Sequence, residues 1–202
     1  MWKWEENVMH GLINRAIQCF VCDSYGLDKW VKATRLAELE FVEFEAMMMY
    51  DDDITPHLLD AISVLLDRNR RYIMEDLGTY LVSHPNVEAL RRLLRFGGVT
   101  FVDFLHSLDE LPDRARLAVS DLQLPRTELR EHGASCFSLV CECPIPGYGD
   151  VMMGVLRTMA DDYGVLALLE HQGESQGVET ISVSLIETKF AEGRAFELGV
   201  RV

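Results

Sequence analysis

Two thiol pairs in this 202-residue chain, Cys19-x-x-Cys22 and Cys141-x-Cys143, could each supply two thiolates to a metal. A structural zinc site takes four such ligands in spaced pairs with closed geometry. Cys19 falls in the middle of a patterned helix, where its pair cannot bend into a knuckle, so both read as buried thiols acting as small hydrophobes. Cys141 and Cys143 alternate along one strand face, which strains any bridge between them. Asp51-Asp52-Asp53 lacks the alternating ligands and terminal Glu of a calcium loop and reads as a solvated turn. Met47-Met48-Met49, expected on a helix, points three ways round and reads as core filling rather than a cofactor box. Ser135, Ser138 and His132 have no Gly-x-Ser-x-Gly elbow or phosphate-binding glycine loop around them. The residues thus predict neither a catalytic site nor a metal site, and the chain reads as a non-enzyme.

The net charge is −14. Phosphate backbones and anionic headgroups would be repelled, so nucleic acid and membrane surfaces are not expected as partners, whereas a basic protein surface is compatible. No unbroken apolar run approaches the roughly 18 residues of a membrane helix. The opening MWKWEENVMHG carries two Glu before any apolar run and does not read as a signal peptide. Five cysteines at irregular spacing, in a chain long enough to fold without staples, are expected as reduced thiols in a cytoplasm.

The elements that would position these residues follow from periodicity. Leu12, Ile13, Ala16, Ile17, Phe20 and Val21 recur at helical spacing over 11–23, and Gly26 closes that helix. A second helix is expected over 27–39. The acidic run at 51–53 ends the next element, and Thr55-Pro56 restarts a helix with Thr55 as N-cap and Leu58, Leu59, Ile62, Leu65 and Leu66 as its buried stripe. Helices over 71–82, 86–96 and 101–111 follow, and beyond Pro112 the pattern changes. Residues 126–131 and 136–143 read as strands, 148–163 as a helix capped by Gly164, and 165–171 with 178–187 as a hairpin. The fold class is α+β, with a helical N-terminal half and a small antiparallel sheet with an inserted helix in the C-terminal half. Residues 1–187 are read as one domain and 188–202 as a C-terminal tail.

Met9-His10-Gly11-Leu12-Ile13 with Tyr25-Gly26, then Phe104 to Leu111, Pro125, and Pro146-Gly147 before Val151, Met152, Gly154 and Leu156 stand in a definite order. In that order and spacing the chain resembles the haem-nitric-oxide/oxygen-binding (H-NOX) family from Met9 to about Glu187. The resemblance implies the H-NOX fold, a haem b cofactor, and a sensor that passes a shift of its proximal helix to a signalling partner, often a histidine kinase or a nucleotide cyclase. It also implies site positions. The family's iron-ligating histidine falls on Pro112, and its haem-contacting proline on Pro125. The Tyr-x-Ser-x-Arg motif that binds the propionates falls on Cys141, Cys143 and Ile145.

None of the four positions Pro112, Cys141, Cys143 and Ile145 keeps the family's residue. Phe101, Phe104, Leu105, Leu108 and Leu111 share one helix face at about 100° per residue, and Pro112 continues it inward. His106 lies on the opposite face among Asp103, Ser107, Asp109 and Glu110, so it is expected as a solvated histidine. On the strand, Phe137, Leu139, Cys141, Cys143 and Ile145 share one parity, an apolar and thiol-bearing wall where propionates would need arginine. Arg114, Arg116, Arg126 and Arg130 are near in sequence, and nothing in their spacing singles one out. The expectation is a haem-free sensory and signalling module, binding a signalling protein or an apolar small ligand. A haem-based NO/O2 sensor with non-standard ligation is the alternative. If no haem fills the fold, Phe104, Leu105, Phe137, Leu139 and Met152 are expected to fill the interior.

Overall fold

In the computed structural model, which describes residues 8–143 and 146–194, His10 starts the first helix by accepting the Leu12 N–H on its Nδ1 at 3.1 Å. Boundaries between two compact units fall at 73/74, 118/119 and 123/124.

In the first unit, strand β1 (Val8–His10) pairs antiparallel with β2 (Met49–Asp51). Helix α1 (Gly11–Tyr25) buries Ile17, Phe20 and Val21, and Gly26, at φ +89, ends it. Helix α2 (Leu27–Leu36) stops short of the expected residue 39. Glu38 turns left-handed at φ 56, and the Leu39 N–H returns to the Thr34 carbonyl at 3.0 Å, a hydrogen-bonded helix stop that hydrophobic spacing does not reveal. Helix α3 (Ile54–Leu66) buries Leu58, Leu59 and Ile62, while Leu65 and Leu66 are half-buried. Thr55 is not its N-cap. It lies inside the helix, buried, and donates its hydroxyl to Asn14 Oδ1 at 2.7 Å.

The helix expected around Met47–Met49 does not form. Side chains of α1 and α2 take the backbone groups that a helix would use: Gln18 Oε1 accepts the Phe44 N–H, Arg15 donates to the Phe44 carbonyl, and Trp30 Nε1 donates to the Val42 carbonyl. Phe41, Phe44 and Tyr50 then stack into one aromatic cluster, with centroids 4.9–5.6 Å apart. The three methionines end exposed, at 68%, 54% and 42%, rather than in the core.

The second unit takes most of helix α4 (Arg70–Ser83), then α5 (Glu88–Arg95) and α6 (Phe101–Ser107), the last opened by a reciprocal Thr100–Asp103 capping box. A 3-10 turn over Leu108–Glu110 leads into α7 (Leu111–Ala118), which periodicity did not predict. Pro112 therefore opens a helix instead of closing one. Its missing N–H costs nothing in a first turn, where no intrahelical acceptor exists. Strands β3 (Arg126–Gly133), β4 (Cys136–Glu142), β5 (Leu166–Ser175) and β6 (Val178–Glu187) form an antiparallel sheet in the order β3-β4-β6-β5. Helix α8 (Tyr148–Tyr163) is inserted between β4 and β5. Phe104, Leu105, Phe137, Leu139 and Met152 are all buried in this unit.

Helix α8 meets α4 backbone to backbone. A Cβ at Gly78 would stand 2.0 Å from the Val151 carbonyl oxygen, and one at Gly154 would stand 2.0 Å from that of Glu75. At the far end of α8, Asp162 receives a bidentate pair from Arg91, both bonds 2.9 Å, with both side chains buried. Residues 188–194, set aside as tail, return here: Phe190 and Ala191 donate to the Gly164 carbonyl, and Arg194 donates its N–H to that of Asp162. Gly154→Val should therefore cost about 3 kcal/mol or more by overpacking, a fall in Tm of roughly 6–12 °C. Thermal unfolding followed by circular dichroism checks this, with exposed Glu110→Ala unchanged as the control.

Candidate functional site

Cys141 is fully buried on β4, with Phe137 and Leu139 on the same parity. Cys143 is half-buried just past the strand's end, and Ile145 lies outside the described residues. Pro125 is buried and immediately precedes β3, whose first pair, Arg126 with Glu142, sets it beside the end of β4. Thr127, the register partner of Cys141, is buried and donates its hydroxyl to the Leu108 carbonyl at 2.7 Å. Leu129 donates its N–H to Asp109 Oδ1 at 2.7 Å. These two bonds fasten the turn before α7 to the sheet, and with it half-buried Pro112.

His106 is exposed, 2.9 Å from Glu131 and edge-on to Phe137, as its helix face predicts. The candidate arginines are engaged elsewhere or turned outward. Arg116 pairs with Asp113 and Arg130 with Glu128, Arg114 donates to the Ser107 carbonyl, and Arg126 is exposed.

The main polar feature of this region was not singled out from the sequence. Glu179 is the register partner of Cys141 on β6 and is 3% exposed. Its carboxylate accepts the Gly147 N–H at 2.6 Å and the Gly149 N–H, both at the start of α8. Its Oε2 also stands 3.3 Å from His171 Nε2. The other ring nitrogen, Nδ1, accepts the Gly173 N–H at 3.0 Å, so in the neutral imidazole Nε2 bears the proton and donates to Glu179. Gly149 permits the approach, since a Cβ there would lie 2.2 Å from Glu179 Oε2, and Gly147 turns at φ +104. A signal existed: Glu179 is in phase with the buried Ile181, Val183 and Leu185, an acid on the inward parity of an apolar strand.

This setting suppresses ionisation nearby. Burial, then the charge of Glu179, then Cys143, pushes the Cys141 thiol up to about 12. Burial, followed by Cys141 and Cys143, also raises the half-buried Tyr148 phenol. Both are neutral at physiological pH, so Cys141 is neither an activated nucleophile nor a ready thiolate ligand. Among the described residues, no group of three or more His, Cys, Asp or Glu could hold a metal ion.

The donor set does not suit haem in the manner the resemblance implies. Pro112 has an amide nitrogen in place of an imidazole. Cys141 presents a neutral thiol, and the negative charge already buried beside it belongs to Glu179. Two propionates brought to this wall would meet a carboxylate where they need a guanidinium.

Glu179→Ala should strand two backbone donors and His171, costing about 1.5–3 kcal/mol and roughly 3–12 °C in Tm. Glu179→Gln, which keeps an acceptor, should lose less by the same thermal measurement. For Cys141, the folded state favours the neutral thiol. Its stabilisation is complete below the ordinary value of 9.0 and is lost as pH climbs toward about 12. Native alkylation at pH 8 should label exposed Cys136 and spare Cys141 until the chain is denatured; mass-mapped labelling decides it.

A family model described as haem-NO-binding matches residues 10–170. Soluble guanylate cyclase 89Da of Drosophila melanogaster is 21% identical over 168 residues, covering 83% of this chain and 25% of that protein; soluble guanylate cyclase 89Db is 20% identical over the same lengths. The chain thus spans about a quarter of these curated relatives. Among solved structures, the Fe(II) unliganded H-NOX protein from K. algicida superposes with a TM-score of 0.78 at 16% identity, over 91% of this chain and all of that one. An oxygen-binding H-NOX domain related to soluble guanylate cyclases, solved as its oxygen complex, superposes with a TM-score of 0.64 at 16% identity, over 93% of this chain and all of that one.

Proposed function

The chain belongs to the haem-NO-binding family, and we propose that it serves there as a sensory and signalling module that does not hold haem in the family's usual way. The observation that carries this reading is the buried Glu179 carboxylate, the register partner of Cys141, which is one of the positions where the resemblance places the propionate motif. Pro112, where the resemblance puts the iron ligand, supports it as well. A sensor domain of this family is not itself catalytic, and its output passes to a partner. The relatives named soluble guanylate cyclases favour a nucleotide cyclase as the partner class, and the resemblance also implies a histidine kinase. A small apolar molecule remains the ligand class suited to this family's interior once haem is set aside, and the free cysteines fit a reducing cytoplasm. The second reading, a haem-based NO/O2 sensor with non-standard ligation, is favoured by the family assignment alone.

Haemin titration followed at the Soret band tests the proposal. The unmodified chain should show no stoichiometric band that survives gel filtration. Pro112→His restores an imidazole but leaves the propionates facing thiols and Glu179, so it should gain little. The combination Pro112→His, Cys141→Tyr, Cys143→Ser, Ile145→Arg should gain far more than the sum of its single changes. Two uncompensated buried carboxylates cost at least a few kcal/mol each, comparable to one axial bond. Adding Glu179→Gln should improve it again. A one-to-one band in the unmodified chain would establish the gas-sensor reading, and equal binding by Pro112→His alone would show that the strand is no barrier.

A further inference from the structure

We propose that the surface formed by Met47, Met48 and Met49 in the first unit docks a basic amphipathic helix of a partner protein. This refines the partner reading above by naming the chemistry of the docking segment, and it stands whether or not haem binds. The three methionines are consecutive and 68%, 54% and 42% exposed, joined by Val8 at 38% on the paired strand. They are held in place. The Met48 carbonyl accepts the Gly11 N–H at 2.7 Å, the Met48 N–H reaches the Glu45 carbonyl at 3.2 Å, and Tyr50 binds the Glu45 N–H through its hydroxyl at 2.8 Å. A Cβ at Gly11 would stand 2.1 Å from the Glu45 carbonyl oxygen, so α1 and this loop are in backbone contact. The fold therefore presents apolar side chains on a fixed frame instead of folding them inward. Methionine suits such a surface because its unbranched, polarisable side chain adapts to the shape of whatever covers it.

Charge selects the occupant. Between Arg35 and Arg68 there is no Lys or Arg, the nine Asp and Glu of that stretch are all exposed, and Arg15, which reaches the loop from α1, is engaged by the Phe44 carbonyl. Glu43 and Glu45 precede the methionines, and Asp51 and Asp52 follow them. Exposed apolar residues with carboxylates on both sides in sequence match a helix whose apolar stripe is bordered on both sides by Lys or Arg. A second copy of this chain would bring the same carboxylates against themselves across a two-fold axis, so self-association is disfavoured.

The test uses the full chain with 13C-labelled methionine ε-methyl groups. The probe is a Leu/Lys amphipathic peptide of about 20 residues, roughly 30 Å as a helix. Its controls are a scrambled peptide of equal charge and a Leu/Glu version. The Met47, Met48 and Met49 signals should shift saturably with the Leu/Lys peptide alone. Replacing all three exposed methionines by Ser should weaken binding about tenfold or more, and Glu45→Lys with Asp51→Lys should do the same, with circular dichroism confirming the fold. Equal affinity for the scrambled peptide, equal binding by either variant, or shifts confined to other methionines would overturn the proposal. A concentration-dependent dimer in sedimentation that disappears in the Met→Ser variant would also overturn it and assign the face to a second copy. None of these outcomes bears on the haemin titration.

Discussion

The second unit depends on one buried carboxylate. A helix begins with backbone N–H groups that lack intrahelical acceptors, and α8 starts at Gly147 without a side-chain cap of its own. Glu179, reaching from β6, satisfies two of those donors and complements the positive end of the helix dipole. The charge is tolerable in a dry interior because the partners are aimed at it. The same contact explains Gly149, orients His171, and adds to the burial that keeps Cys141 neutral. A second anion brought to this corner of the sheet would meet that buried charge.

The opposite end of α8 is fastened as firmly, by Arg91 on Asp162 and by residues 188–194 on its last carbonyls. Between these ends, Gly78 and Gly154 bring α4 and α8 to backbone distance. A helix held at both ends and packed without intervening side chains has little room to shift. The turn before α7 is attached differently, through one hydroxyl and one carboxylate, Thr127 on Leu108 and Asp109 on Leu129. Two polar bonds at a sheet margin are easier to exchange than a helix crossing, since each contributes only about 0.5–3 kcal/mol.

In the first unit the same economy of backbone groups has an outward result. Gln18, Arg15 and Trp30 satisfy the 42–44 backbone from outside, so the chain through Met47–Met49 need not coil into a helix to bury its polar groups. The methionines are then left on the surface by the loop's geometry, despite their hydrophobicity.

Local pattern sufficed wherever neighbours in sequence decide the outcome. The run 148–163 with Gly164 is α8, 178–187 is β6, and the inward face of Phe101, Phe104, Leu105, Leu108 and Leu111 is buried as its spacing requires. The exposed position of His106 was also legible, because residue type and helix phase are sequence properties. What the sequence left open depends on partners distant along the chain. Helix α7, the early end of α2, the place of Thr55 and the fate of Met47–Met49 turn on hydrogen bonds and packing that linear spacing does not encode. Above all, Glu179 stands 30 residues from Gly149. Its inward parity could be read from β6, but only the register of β4 with β6 and the packing of α8 decide that an acid there meets two amides and an imidazole, for a buried charge is stable or ruinous according to what surrounds it.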